Sequence, residues 1–152
     1  MEAEAGAPIA PPGVVNERAR ISGAVLTAIS AAVIGLAAYL PWLRTGHVTR
    51  NSFQMMRTAE LLDVVTGVAA VALRAWYLVP VLVALVWLAA ALDRPRLMAT
   101  LALVLAGATA AVASVVLRSG LATGLGPRLA LLGATGAVIG AVLTVRPSRS
   151  PS

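Results

Sequence analysis

The chain has 152 residues, 59% of them apolar and only 12% charged, with a mean hydropathy of +0.89. Such a composition excludes a soluble globular domain, whose surface needs more polar side chains, and turns the apolar excess toward lipid. The absence of cysteine excludes disulfides, thiolate nucleophiles, iron–sulfur clusters and cysteine-ligated zinc, and the 12 basic residues, all Arg, give a net charge of +6.

Residues 1–20, with Pro8, Pro11, Pro12 and Gly13 beside Glu2, Glu4 and Glu17, hold too little bulk for a core and read as a disordered tail closed by Arg18 and Arg20. The run 21–43 is uncharged, longer than a signal-peptide core and preceded by acidic residues, so it reads as a retained first transmembrane helix. A long polar connection follows. Within it, 52–73 reads as a loop helix with Ser52 as N-cap. Its second half is apolar apart from Asp63 and Thr66 but too short to cross, which makes an amphipathic or re-entrant segment. A fifth crossing from Phe53 is the alternative, and it would bury Arg57, Glu60 and Asp63 at high cost.

Three further uncharged runs, 75–92, 97–117 and 129–145, are each long enough at about 1.5 Å per residue to traverse about 30 Å of hydrocarbon, the last barely. Pro80 reads as a kink in the first of them. Asp93-Arg94-Pro95-Arg96 is a turn short enough to force an antiparallel helical hairpin, with Pro95 stopping one helix or starting the next. Gly120, Gly124 and Gly126 make the next connection a flexible turn, and 146–152 is a polar tail. The expected fold class is all-α, a bundle of four transmembrane helices with an amphipathic or re-entrant helix in the first outer loop.

Arginines divide equally between the two sides of this layout, so the positive-inside rule decides little. Cytoplasmic termini are favoured because Arg18 and Arg20 abut the first helix and Arg94 and Arg96 crowd the shortest loop. Tyr39, Trp42, Trp76 and Tyr77 then form an aromatic belt on the outer face. Arginines scattered between apolar blocks mark membrane boundaries, and no nucleic-acid partner is expected.

Lipid gives helices no hydrophobic reason to associate, so contact faces are sought as rows of small residues four apart. Gly23, Thr27, Ala31 and Gly35 form one row, Gly107 and Ala111 a second, Gly136 and Gly140 a third. The second helix has no such row. Its Val, Leu and Trp87 surface faces lipid or docks another membrane protein.

None of the four spans contains an ionisable residue, which argues against an ion- or proton-coupled carrier. Polar chemistry is confined to the long loop, where Arg44, His47, Arg50, Arg57, Glu60, Asp63 and Arg74 form the candidate binding face. One reading is a solvated stripe supported by Arg57 and Glu60 at i,i+3. The other is a site for an anionic ligand or lipid headgroup built from Arg44, Arg50 and Arg57. His47 stands alone as histidine, so neither a metal nor a haem is expected. A Ser52, His47, Asp63 hydrolytic set lacks the glycine pattern of a nucleophile elbow, and neither cofactor nor enzymatic activity is expected.

The segments Pro41-Trp42-Leu43-Arg44-Thr45-Gly46 and Arg50-Asn51-Ser52-Phe53 resemble a pattern in small four-helix membrane proteins of actinobacteria. The resemblance implies a bacterial multi-pass protein and carries no particular activity. A long first outer loop is also similar to that of claudins, but their cysteine pair is missing. The sequence therefore points to a non-enzymatic accessory subunit docking onto a larger membrane or cell-envelope complex. Alternatives are a homo-oligomeric channel or uncoupled small-solute transporter, and an outer-leaflet anionic-lipid-binding protein.

Overall fold

A computed structural model describes residues 12–61 and 74–145. Helix α1 runs Pro12–Tyr39, strand β1 Pro41–Thr45, strand β2 Val48–Asn51 and helix α2 Ser52–Leu61. A 3-10 turn, Trp76–Leu78, leads into helix α3, Val79–Ala91. Helices α4, Pro95–Arg118, and α5, Gly126–Val145, complete the described chain.

Among the described residues three helices are long and apolar enough to cross a membrane: Glu17–Tyr39, Pro95–Arg118 and Gly126–Val145. The expected second span is shorter, because Trp76–Ala91 is the extent of its apolar helix. The 13 residues of α3 itself cover only about 20 Å at about 1.5 Å each. Pro80 lies in the first turn of α3, where its missing N–H costs nothing, and so begins the helix instead of kinking it.

Two other boundaries differ from the sequence expectation. Helix α1 starts at Pro12, inside the segment expected to be a tail, and stops at Tyr39, ahead of the expected end at 43. Pro41 disfavours helix at the residue before it, and the chain turns into a hairpin instead. The hairpin adds two short strands to a fold that is otherwise mostly helical, as expected. Strands β1 and β2 pair antiparallel, with Arg44 opposite Thr49 and Thr45 opposite Val48, across Gly46 and His47. Gly46 takes φ +60°, as the first central position of a II′ turn requires. Of the loop helix expected over 52–73, Ser52–Leu61 is helical; the rest, including Asp63, lies outside the described residues.

The longest interface joins α1 to α5, antiparallel. Gly23, Thr27, Ser30 and Ile34 of α1 meet Thr144, Gly140, Gly136 and Gly133 of α5 in turn. A Cβ on Gly140 would lie 2.7 Å from the Thr27 backbone nitrogen and 2.9 Å from the Gly23 carbonyl oxygen. On Gly136 it would run into the Ser30 Oγ. Only glycine lets these backbones approach so closely. Two of the three buried hydroxyls in the seam bond within their own helices: Thr27 Oγ1 donates to the Gly23 carbonyl at 2.8 Å and Thr144 Oγ1 to the Gly140 carbonyl at 2.7 Å.

The seam does not follow strict four-residue steps. On α1 the contacting residues Gly23, Thr27, Ser30 and Ile34 are spaced four, three and four apart, close to the average that keeps one stripe facing a partner helix. A strict four-residue row advances about 40° per step around the helix. Gly35, at the far end of the α1 row, accordingly faces α3 instead of α5: the nearest atom of the Val83 side chain is 3.5 Å from where a Cβ on Gly35 would stand.

The α3–α4 turn closes as a Schellman motif. Asp93 sits at φ 48°; its N–H donates to the Ala90 carbonyl at 3.1 Å and the Arg94 N–H to the Ala89 carbonyl at 2.9 Å. Pro95 then opens α4. The described ends of α1 and α5 thereby lie at one end of the molecule and the β-hairpin at the other.

Candidate functional site

Most of the sequence-predicted polar residues lie at the hairpin end, where a small layer caps the helices. The Arg44 N–H donates to the Ala122 carbonyl at 2.9 Å and the Gly124 N–H to the Trp42 carbonyl at 3.1 Å, with a bridge between Leu43 and Thr123. The glycine-rich connection is therefore a docked third edge of the hairpin, not the flexible turn expected. Gly124 and Gly126 are required by contact, since a Cβ on Gly124 would run into the Pro41 carbonyl and one on Gly126 into the Trp42 indole, whereas Gly120 is called for by its φ of +70°.

Beneath this layer is a buried polar knot that the sequence does not announce. Trp42 is 0% exposed and Trp76 3%, and their rings meet edge-on at 5.4 Å. Trp42 Nε1 donates to the Ala37 carbonyl at 2.7 Å, and Ser52 Oγ donates to the Ala38 carbonyl at 2.6 Å while accepting from Trp76 Nε1 at 3.1 Å. Ala37 and Ala38 carry two of the last carbonyls of α1; that of Ala37 also accepts from the Leu40 N–H at 3.2 Å, while that of Ala38 takes its bond from the Ser52 hydroxyl. One hydroxyl thus ties the end of α1, the start of α2 and the turn before α3 together.

Ser52 is consequently not the N-cap of α2. Asn51 holds that place: its Oδ1 accepts from the Gln54 N–H at 2.9 Å, and Gln54 Oε1 accepts from the Asn51 N–H at 3.1 Å, a reciprocal capping box. The expected aromatic belt is also redistributed. Trp42 and Trp76 are interior; Tyr39 and Tyr77 remain exposed, joined through Phe53 at centroid distances of 5.1 and 6.1 Å.

The three arginines of the expected anion site do not converge. Arg44 is opposite Thr49 and Arg50 opposite Leu43, so by strand alternation Arg44 and Arg50 project from opposite faces of the hairpin. Arg50 turns toward α2 and donates to Thr58 Oγ1 at 3.0 Å. Arg44 and Arg57 are exposed, as is His47 at the hairpin tip. Glu60 is paired with Arg74 at 3.9 Å, not with Arg57. On one straight helix these two residues would be about 21 Å apart, so they do not share one, and the stripe expected to align Arg57, Glu60 and Arg74 is not formed. The pair is a surface contact, with side-chain exposures of 79% and 36%, worth little by itself.

Of the packing rows, Gly23, Thr27, Ala31, Gly136 and Gly140 lie in or beside the α1–α5 seam and Gly35 against α3. Gly107 and Ala111 do not pack. Both are on the exposed face of α4, and a Cβ on Gly107 would meet nothing within 4 Å; the inward face is Ala102, Leu105, Ala106, Thr109 and Ala113. Among the described residues no group of three His, Asp or Glu side chains could hold a metal.

Fold and cap together define a mostly helical protein with three helices long and apolar enough to cross a membrane, closed at one end by a hairpin layer. No protein-family model, curated protein or solved structure matches the chain.

Proposed function

We propose that the protein is a non-enzymatic integral membrane accessory subunit that docks onto a larger membrane or cell-envelope complex. In this reading α3 is a fourth crossing, the loop after α2 lies on or re-enters the membrane, and the protein sits in a bacterial plasma membrane with cytoplasmic termini. The observation that carries it is the asymmetry of α3. It buries Val79, Val86 and Ala89 and leaves Val81, Leu85, Trp87 and Leu88 exposed, a bulky face without the small residues that join α1 to α5. A tryptophan in the middle of a broad apolar face is an anchor of the kind that protein partners take up. Backbone contact along the α1–α5 seam leaves no room there for a solute path, which favours a subunit over a carrier.

Purification of the full chain from its native membrane in mild detergent should recover partners in fixed stoichiometry, and Trp87→Ala should weaken that recovery. A monodisperse homo-oligomer that alone passes ions or solutes in liposomes would instead establish the channel reading.

A further inference from the structure

An apolar cavity of about 450 Å³ lies between the cap and the bundle, walled by Met55, Met56 and Ala59 of α2 and by Ala111, Val112 and Val115 of α4. It opens along the outer face of α4, where Val115 is 70% exposed. We propose that this cavity is a binding site for one acyl chain of an anionic phospholipid, whose phosphate is held by Arg57 and Arg118. The volume is within the range of small-ligand sites and about three times that of the ~150 Å³ apolar cavity known to accept benzene. The lining is apolar apart from Ser119, whose hydroxyl is spent on the Val116 carbonyl at 2.7 Å, and offers little to a polar solute.

Charge complementarity selects the occupant. Arg44, Arg50, Arg57, Arg74, Arg118 and Arg128 all lie at the hairpin end. Among the described residues their only carboxylate there is Glu60, already paired with Arg74. Arg57 follows the lining residue Met56, and Arg118 stands one turn beyond Val115; both are exposed. Guanidinium groups beside an apolar slot at the helix ends match a phosphate above an acyl chain. The site differs from the Arg44, Arg50 and Arg57 cradle, which the hairpin register separates, and it does not depend on the docking function proposed above.

The test uses the full chain in nanodiscs of equimolar phosphatidylglycerol and phosphatidylcholine, extracted in mild detergent, with retained lipid measured by mass spectrometry. Retained phosphatidylglycerol should exceed phosphatidylcholine by about fivefold or more, the preference expected from one arginine near an anionic headgroup. Val115→Trp, at an exposed position, should fill the mouth and abolish retention; Ala111→Leu repeats the test if that variant does not fold. Arg57→Gln with Arg118→Gln should keep bound lipid but bring the ratio near unity. Equal retention of the two lipids by the unmodified protein, an unchanged ratio in the arginine variant, or full retention in the folded filled variants would overturn the proposal.

Discussion

The α1–α5 seam and the hairpin cap are held by opposite means. The seam is a close approach of two helices, in which glycines of one face the backbone and small side chains of the other, and the hydroxyls of Thr27 and Thr144 are satisfied inside their own helices. The cap is a contact of large side chains, in which Trp42 and Ser52 donate to carbonyls at the end of α1 and Trp76 donates to the Ser52 hydroxyl. In lipid, close packing and interhelical contact replace the hydrophobic effect, so the seam needs smallness. At the helix ends, unpaired carbonyls must find donors, so the cap needs indole N–H and hydroxyl groups at fixed places. Seam substitutions should accordingly fail by overpacking and cap substitutions by unsatisfied polar groups.

The largest effect is expected in the seam. Gly140→Val places branched carbon where Thr27 Oγ1 is 2.5 Å and the Thr27 backbone nitrogen 2.7 Å from the first added atom. Because one neighbour is backbone, it cannot turn aside, and a loss of about 3 kcal/mol is expected. Titration with SDS in mixed micelles, read by circular dichroism, measures it; a loss below about 1 kcal/mol would mean the helices are not in backbone contact.

A smaller loss is expected in the cap. Ser52→Ala removes almost no volume but leaves the Ala38 carbonyl and Trp76 Nε1 without partners, for a cost of about 2 kcal/mol. The distinguishing readout is the near-ultraviolet dichroism of the tryptophans, which should change with Ser52→Ala and stay constant with Gly140→Val in the folded fraction. If Ser52→Ala leaves both stability and spectrum unaltered, the hydroxyl is not the tie between α1, α2 and the turn before α3.

The seam was largely legible in the sequence and the cap was not. Gly23, Thr27, Gly136 and Gly140 stand out because glycine is costly in a helix unless closeness rewards it. The same rule misassigned Gly107 and Ala111, since lipid and helix interior are equally apolar and no polar face marks which side of α4 is outside. At the cap, local signals competed. Asn51 and Ser52 are both good N-caps, and only the tertiary position of the Ala38 carbonyl assigns Ser52 elsewhere. The hairpin was hidden because a bulge interrupts its register between Pro41 and Leu43 and Gly-His is a weak turn signal beside Asn-Gly. The candidate arginines were found as residues but not as a site, because face depends on a strand register that composition does not reveal.

Gly107→Ala gives the smallest effect and the sharpest contrast. If glycine as such were the requirement, alanine at 107 and at 136 would harm alike, since both residues lie mid-helix in apolar surroundings. If close contact with the facing helix is the requirement, they should diverge in sign. At Gly107 the added methyl enters open space, and removing a flexible residue from a helix interior should stabilise by about 0.5–1 kcal/mol. At Gly136 the same methyl meets Ser30 Oγ and should destabilise, with relief when Ser30→Ala is added. Measuring both substitutions and the double variant in one micelle system isolates the Ser30–Gly136 contact as a coupling energy. A loss of stability in Gly107→Ala would show that α4 packs through its outer face after all, and would make that face, not α3, the first place to look for a partner.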